Sequence, residues 1–249
     1  MKKFFIKQEQ KNNNIIEIIN EDVNHIKNVL RLEEETLIQI SDGIKNYITK
    51  IIIIEKDKVI CEIVEELENE NEAKVQIDIY QGLPKSDKME YIIQKCTELG
   101  ANQYFPVNMK RSIVKLSGKD EEKKILRWQK IAEGAAKQSG RDIIPKVYNI
   151  QNINNVCNNI ENYDIVLVAY ELEKENSLKK ELQKIKLNNE AKIAILIGPE
   201  GGIEEEEIDL LKKSGAKIVS LGKRILRTET VALVVSSIIM YEFNELGGN

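Results

Sequence analysis

Two glycine-broken loops near the C-terminus hold the residues whose types and spacing could do chemistry. The first is Leu196-Ile197-Gly198-Pro199-Glu200-Gly201-Gly202, and the second is Leu221-Gly222-Lys223-Arg224-Ile225-Leu226-Arg227-Thr228-Glu229-Thr230. In each, an apolar strand-like run breaks at glycine just before a helical pattern, which leaves bare backbone where a small ligand can approach closely. Glu200 lies inside the first turn, stiffened by Pro199, so its carboxylate is expected at the mouth of a pocket. Arg224 and Arg227 are three apart and are expected to project to one side, with Ile225 and Leu226 anchoring the loop inward. Two guanidinium groups there suit an anionic partner or a negative charge that develops during a reaction. The competing reading pairs one of them with Glu200 or Glu229. A dinucleotide fits poorly: the spacing is not Gly-x-Gly-x-x-Gly, the loop comes late in its domain, and a glutamate in the turn would repel a pyrophosphate. A cofactor without phosphates fits better.

Composition narrows the chemistry further. His25 is the only histidine and the three cysteines, Cys61, Cys96 and Cys157, are far apart. That excludes a Ser-His-Asp or Cys-His arrangement and the usual zinc spacing, so no metal site is expected, and it fits a reduced, cytoplasmic protein. The N-terminus lacks a sustained apolar run and the C-terminal apolar run is too short to span a bilayer, so neither a signal peptide nor a membrane partner is expected. The net charge is only −4, from 37 Lys plus Arg against 41 Asp plus Glu. Its distribution is uneven: residues 84–146 carry fourteen basic and eight acidic residues, while residues 1–71 carry ten and fifteen. A local basic excess can track a phosphate backbone even in an acidic protein.

The elements that must position these groups change character near residue 70. Before it, strand patterns fall at 4–6, 15–19, 36–40, 48–54 and 59–64, with a turn at Ser41-Asp42-Gly43 and a short helix over 22–30. The polar stretch 65–74 reads as a linker. After it, strands at 75–80, 104–107, 165–169, 193–197 and 218–221 alternate with helical patterns, the signature of a mostly parallel sheet covered on both faces. Met89, Ile92, Ile93, Cys96 and Leu99 share one helical face, so Cys96 is expected to be a core thiol; Trp128 is expected to anchor packing on the next helix. Residues 203–214 form a helix whose glutamates, 204–207, compensate the dipole. The last helix carries Val231, Leu233, Val234, Val235, Ile238, Ile239 and Met240 on more than one face, as for packing against the sheet and a second subunit.

Both loops, in this order, closely resemble the end of the RsmE family of SPOUT methyltransferases. The resemblance extends to His25-Ile26-Lys27-Asn28-Val29-Leu30-Arg31, Leu83-Pro84-Lys85 with Lys88, Gln94 to Gly100, Arg111-Ser112, Arg127-Trp128, Ala135 to Arg141 and Pro145-Lys146. It implies a PUA-like RNA-binding β-barrel over residues 1–71, then a SPOUT-type α/β domain over 72–249 ending in a trefoil knot. The implied reaction is S-adenosylmethionine-dependent methylation of a uridine at N3 in 16S ribosomal RNA, free or in the assembled small subunit, by a cytoplasmic homodimer. The rivals are another SPOUT RNA methyltransferase, acting on a ribose 2′-O or a different base, and a non-catalytic RNA-binding dimer. Carried over by position, the cofactor site falls on Leu196, Gly198, Gly201, Leu221, Gly222, Arg224, Leu226, Arg227 and Thr228, closed by residues 169–171. Arg227 is the expected stabiliser of the imidate that forms as the uracil N3 proton leaves, and Glu200 a proton acceptor or an orienter. Lys85, Lys88, Arg111, Arg141 and Arg31 are the expected RNA contacts, and His25 is expected in the core or facing RNA.

Overall fold

The computed structural model describes residues 1–185 and 190–247. They cluster into two compact units: Met1–Glu72 with Ala136–Ile144, and Ala73–Ala135 with Pro145–Asn249.

In the first unit, alternating isoleucines fold the chain into a six-stranded sheet. The strands are β1 (Lys3–Phe5), β2 (Lys11–Asn12), β3 (Ile15–Ile19), β4 (Leu37–Ser41), β5 (Asn46–Ile54) and β6 (Lys58–Leu67), in the order β1-β4-β5-β6-β3-β2. All pairs are antiparallel except β1 with β4. Ile16 and Ile18 of β3, Ile38 and Ile40 of β4, and Tyr47 and Ile51 of β5 are buried in alternation with more exposed neighbours, as a period of two requires, except that Ser41 and Asn46 are buried as well. Register shifts at Ile48/Thr49 and Ile51/Ile53 mark bulges, which add local bend and twist. The short helix α1 (Glu21–Asn24) runs into a π-helical turn, His25–Val29, that buries Ile26 and leaves His25 exposed.

The expected linker over 65–74 is corrected in two places. β6 continues through Leu67, because Glu65 and Glu66 lie opposite Ile48 and Tyr47 with their carboxylates exposed. Glu72 is tied down by Arg141 and by the backbone N–H groups of Asp142 (2.8 Å) and Ile143 (3.1 Å). In the same unit Asp142 pairs with Lys3 and accepts from the Asn71 N–H, and Ser41 Oγ donates to the Asp142 carbonyl.

The second unit is a parallel sheet: β7 (Gln76–Gly82), β8 (Gln103–Asn108), β9 (Lys146–Val147), β10 (Gln151–Asn152), β11 (Ile165–Ala169), β12 (Lys192–Ile197) and β13 (Lys217–Val219). The order is β10-β8-β7-β12-β11-β13, with β9 also on β8. Buried on both faces, its central strands β11 and β12 are near-continuous apolar runs, and successive residues feed two separate cores. On one face Ile77, Ile79, Ile193, Ile195 and Ile197 pack with α2 (Lys88–Glu98), α5 (Leu178–Leu182), α7 (Thr228–Glu242) and Trp128 and Ala132 of α3 (Gly118–Ser139). On the other, Tyr80, Val166, Val168, Ala194 and Leu196 pack with α4 (Ile153–Asn158) and α6 (Glu205–Lys213). Cys96 is fully buried in the first core, and burial pushes its thiol up to about 12, as an inert core thiol requires. No helix among the described residues is long and apolar enough to cross a membrane.

Candidate active site

Three loops leave the C-terminal ends of β11, β12 and β13, the edge at which parallel α/β sheets place their ligands. They enclose a cavity of about 370 Å³, within the usual size of a small-molecule site. Its wall includes Ala169, Tyr170 and Glu171 after β11, residues 197–200 and 202–203 after β12, and the whole run 220–228 into α7.

The β12 turn is built by three close approaches. The Gly202 N–H donates to the Pro199 carbonyl (2.9 Å), closing the turn, and Gly202 sits at φ +74°, where a side chain is strained. Pro199 lies against β7 at Gly82, where a Cβ would meet the proline Cδ at 2.6 Å. Behind both, Thr228 Oγ1 donates to the Gly198 carbonyl (2.7 Å) and accepts from Gln81 Nε2 (2.8 Å). Gln81, fully buried at the end of β7, has no counterpart among the expected site residues, because the residues it connects are more than a hundred positions away in the chain.

Of the expected cofactor residues, Gly198, Leu221, Gly222, Arg224, Leu226, Arg227 and Thr228 line the cavity. Two do not. Leu196 points to the opposite face of the sheet, where it is fully buried behind the turn. Gly201 turns toward Arg111, whose Cβ would lie 3.0 Å from an added methyl; the adjacent Gly202 takes its place in the wall. Ile225 is also corrected: it does not anchor the loop, since it is 86% exposed, and only Leu226 turns partly inward.

Charge in the wall is sorted rather than pooled. Lys88 bridges Glu200 (2.9 Å) and Glu229 (3.2 Å), and the Lys85 N–H donates to Glu200 (3.1 Å). Burial alone would raise the Glu200 pKa, but the hydrogen bonds from Lys88 and from backbone N–H groups outweigh it and hold the carboxyl below its ordinary value. An ionised, paired carboxylate is a poor proton acceptor, so the geometry favours an orienting role for Glu200. With both acids committed to Lys88, neither Arg224 nor Arg227 has an ion-pair partner among the described residues, and both are exposed at the rim.

The expected RNA-facing cations divide differently from a count along the chain. Arg141 is removed from the set: it is 5% exposed and paired with Glu72, a structural ion pair within the first unit. Arg111 is held by Glu204 (2.9 Å) and by the Gly201 carbonyl (3.1 Å), and Lys110 by Glu206. Glu207 accepts from the N–H groups of Lys110 (3.0 Å) and Glu204 (3.1 Å). The α6 glutamates therefore fasten the 110–111 turn beside the β12 loop, which goes beyond dipole compensation. Lys85 and Arg31 have exposed side chains.

This geometry has relatives. Residues 71–240 match the family model of an RNA methyltransferase domain, and residues 18–64 that of an RNA methyltransferase PUA domain. The ribosomal RNA small subunit methyltransferase E of Bacillus subtilis is 36% identical over the full length of both chains, and that of Mesomycoplasma hyopneumoniae is 34% identical over 94% of this chain and 96% of its own. Among solved structures, the enzyme of that name from Neisseria gonorrhoeae bound to S-adenosyl methionine superposes with a TM-score of 0.85 at 29% identity, covering 97% of each chain. A putative methyltransferase from Legionella pneumophila, also in complex with that cofactor, gives 0.85 at 28% identity over 96% of each. With a parallel α/β sheet that ends in paired glycine loops, a six-stranded β unit before it and full-length identity to these enzymes, the chain belongs to the ribosomal RNA small subunit methyltransferase E family, with the SPOUT-type fold and the PUA domain of that family.

Proposed function

We propose that the chain transfers a methyl group from S-adenosylmethionine to N3 of one uridine in the 16S ribosomal RNA of the small ribosomal subunit, in the cytoplasm and as a homodimer. The wall of the cavity suits the cofactor. Ser220 and Gly222 offer backbone groups with little side-chain bulk, Ile197, Leu221, Leu226 and Val231 offer apolar surface, and the carboxylate of Glu171 tolerates a cationic ligand. The bound cofactor would supply an activated methyl group. The observation that carries the reading is the pair of exposed guanidinium groups, Arg224 and Arg227, with no ion-pair partner among the described residues, on the rim of a pocket where Glu200 is already matched by Lys88. A guanidinium beside the uracil carbonyls becomes more stabilising as the imide proton leaves, so it lowers the barrier rather than only binding substrate. Arg227 is assigned that role. Gly198, Leu221, Gly222, Arg224, Leu226 and Thr228 are assigned to the cofactor, and Lys85, Arg31 and the exposed Lys223 to RNA phosphates. The trefoil knot of the C-terminal segment is part of the same proposal, supported by the return of α7 from the sheet-edge strand β13 to pack against α2 and β12.

Methylation at N3 blocks the Watson–Crick edge, whereas a ribose 2′-O-methyl leaves it open. Reverse transcriptase is expected to stop at one uridine of 16S ribosomal RNA from cells that make the protein and to read through in cells that lack it. A stop that persists without the protein, or one seen only at low nucleotide concentration, would overturn the N3 assignment.

The homodimer is proposed from the outer side of α7. Ile238 and Tyr241 are exposed there, and Leu233 and Val234 line an apolar groove with the exposed Tyr91 of α2. Covering several such side chains is worth roughly 1.5–3 kcal/mol each before association costs. Ile239, by contrast, is fully buried in the protomer core. Sedimentation at micromolar concentration is expected to give the mass of two chains for wild type and of one for Ile238→Glu; a wild-type monomer would refute the dimer.

A further inference from the structure

Gln81 stands outside the cavity wall, yet it holds two of the three loops that form it. Its Nε2 donates to Thr228 Oγ1 (2.8 Å) and to the Gly82 carbonyl (2.9 Å), and the Thr228 hydroxyl donates to the Gly198 carbonyl (2.7 Å). The direction of this relay is fixed from its far end. A carbonyl can only accept, so the single Thr228 proton goes to Gly198, and residue 81 must then be a donor. The reversed amide would set Oε1 against the Gly82 carbonyl, two acceptors face to face, so the orientation is fixed too. What remains is a cost: Gln81 Oε1 is buried with no hydrogen-bond partner among the described residues. An apolar residue of the same volume would avoid that cost, so packing alone does not account for a glutamine at this position.

The relay joins three elements. Gln81 is the penultimate residue of β7 and lies opposite Ile197 of β12 in the sheet register. Thr228 is the first residue of α7, where the β13 loop ends, and Gly198 opens the β12 loop. Both Thr228 and Gly198 line the cavity. Turning the Gly198 carbonyl onto Thr228 sets the peptide plane that Pro199 then continues, and ties one wall of the cavity to the other before any ligand arrives. Binding to a preformed wall avoids the cost of ordering it.

We propose that Gln81 is a positioning residue for the cofactor, acting through Thr228 to hold the Gly198 carbonyl and so preorganise the cavity. The proposal rests on the reading of the cavity as the S-adenosylmethionine site. It predicts that residue 81 must donate a hydrogen bond, not merely fill space, and Gln81→Glu tests that. Ionised, the new carboxylate would accept the Thr228 proton and leave the Gly198 carbonyl without its donor. Protonated, its single O–H could donate to Thr228 as the amide does, leaving only the Gly82 carbonyl without its donor. A carboxyl buried at this position has a raised pKa, so it gains its proton within a range the protein can be studied in. The charged groups lining the cavity and the adjoining groove include Lys88 on α2, Glu171 after β11, Glu200 in the β12 loop, Lys223, Arg224 and Arg227 in the β13 loop and Glu229 at the start of α7, all also present in the wild-type control.

The experiment is calorimetric titration of S-adenosylmethionine into the full chain at pH 8.5 and pH 5.5, for wild type, Gln81→Glu and Gln81→Met, with thermal melts to confirm folding. Relative to wild type at the same pH, Gln81→Met is expected to bind about tenfold more weakly at both values, the effect of one lost buried hydrogen bond. Gln81→Glu is expected to match that loss at pH 8.5 and to recover most of it at pH 5.5. Wild-type affinity in either variant at pH 8.5, or a loss in Gln81→Glu that does not recover at low pH, would overturn the relay. If neither variant folds, Gln81 is a stability residue and the proposal fails. Absence of binding by the wild-type chain would instead refute the cofactor reading itself, a result separable from all of these.

Discussion

Arg227→Ala is expected to slow methyl transfer by about 10²–10³-fold, the usual loss when one donor to a developing oxyanion is removed. The structure makes this a clean substitution. Arg227 precedes the first turn of α7 with extended backbone (φ −68°, ψ 150°), and it supports the helix through its carbonyl, which accepts from the Val231 N–H (3.0 Å). Its side chain makes no capping hydrogen bond and no ion pair among the described residues, so its removal leaves no buried charge unpaired. The melting temperature should therefore stay within a degree or two, as for other exposed positions. RNA affinity should fall only slightly, because one lost phosphate-type contact changes the salt slope by about 0.7–0.9 and no more. Arg227→Lys is informative beside it: a point charge remains but the planar fork is lost, so an intermediate rate is expected if the fork engages two acceptors. Single-turnover methylation with purified chain and 16S ribosomal RNA compares both variants with wild type, and thermal melts and RNA titrations check the rest. Full activity in Arg227→Ala would move the catalytic role to another residue, with Arg224 on the same rim the first to examine.

How much of this site could be read from the sequence depends on the kind of interaction. The two loops were legible because glycines that interrupt an apolar run just before a helix have few other uses. The sheet was legible for a related reason: strands buried on both faces, such as 193–197, are apolar without alternation. Signals that act across the chain were not. Nothing in the local sequence of Gln81 says that it meets Thr228, and nothing near Arg141 says that Glu72 neutralises it. Counting charge over 84–146 correctly finds an excess of cations there, but it cannot see that Lys88, Lys110 and Arg111 are each matched by a glutamate from 200–229. The cations left at the cavity rim lie instead in the short run 223–227, where a window of sixty residues would not look. The inward placing of Ile225 failed for a different reason. Hydrophobicity predicts burial on average, and a binding loop exposes apolar groups that its ligand or partner covers. Two-residue strands such as β9 and β10 carry too little pattern to be seen at all.

Neighbouring glycines look identical in a sequence, and Gly201 and Gly202 separate only in three dimensions. Gly202→Val is expected to abolish measurable S-adenosylmethionine binding, whereas Gly201→Ala should weaken it only a few-fold. At Gly202 two obstacles coincide. Its φ of +74° lies in the left-handed region, which costs an ordinary L-residue roughly 1–2 kcal/mol and a β-branched one more. Its added Cβ would also stand 2.6 Å from Glu171 Oε1 and 3.7 Å from Arg111 Nη1, so the carboxylate that forms the opposite wall must move. If the backbone instead relaxes to negative φ, the Gly202 N–H leaves the Pro199 carbonyl and the β12 turn opens. Either way the cavity changes shape. Gly201 has no positive φ, and an added methyl would meet the Arg111 Cβ at 3.0 Å and its carbonyl at 3.1 Å, so the adjustment of a few tenths of an ångström falls on the backbone at Arg111, which does not line the cavity. The strain at Gly202 is confined to a loop, so Gly202→Val should still melt cooperatively, only a few degrees lower. Calorimetric titration of the two variants against wild type decides the matter, and equal affinity in all three would mean that the β12 turn is not a wall of the cofactor site.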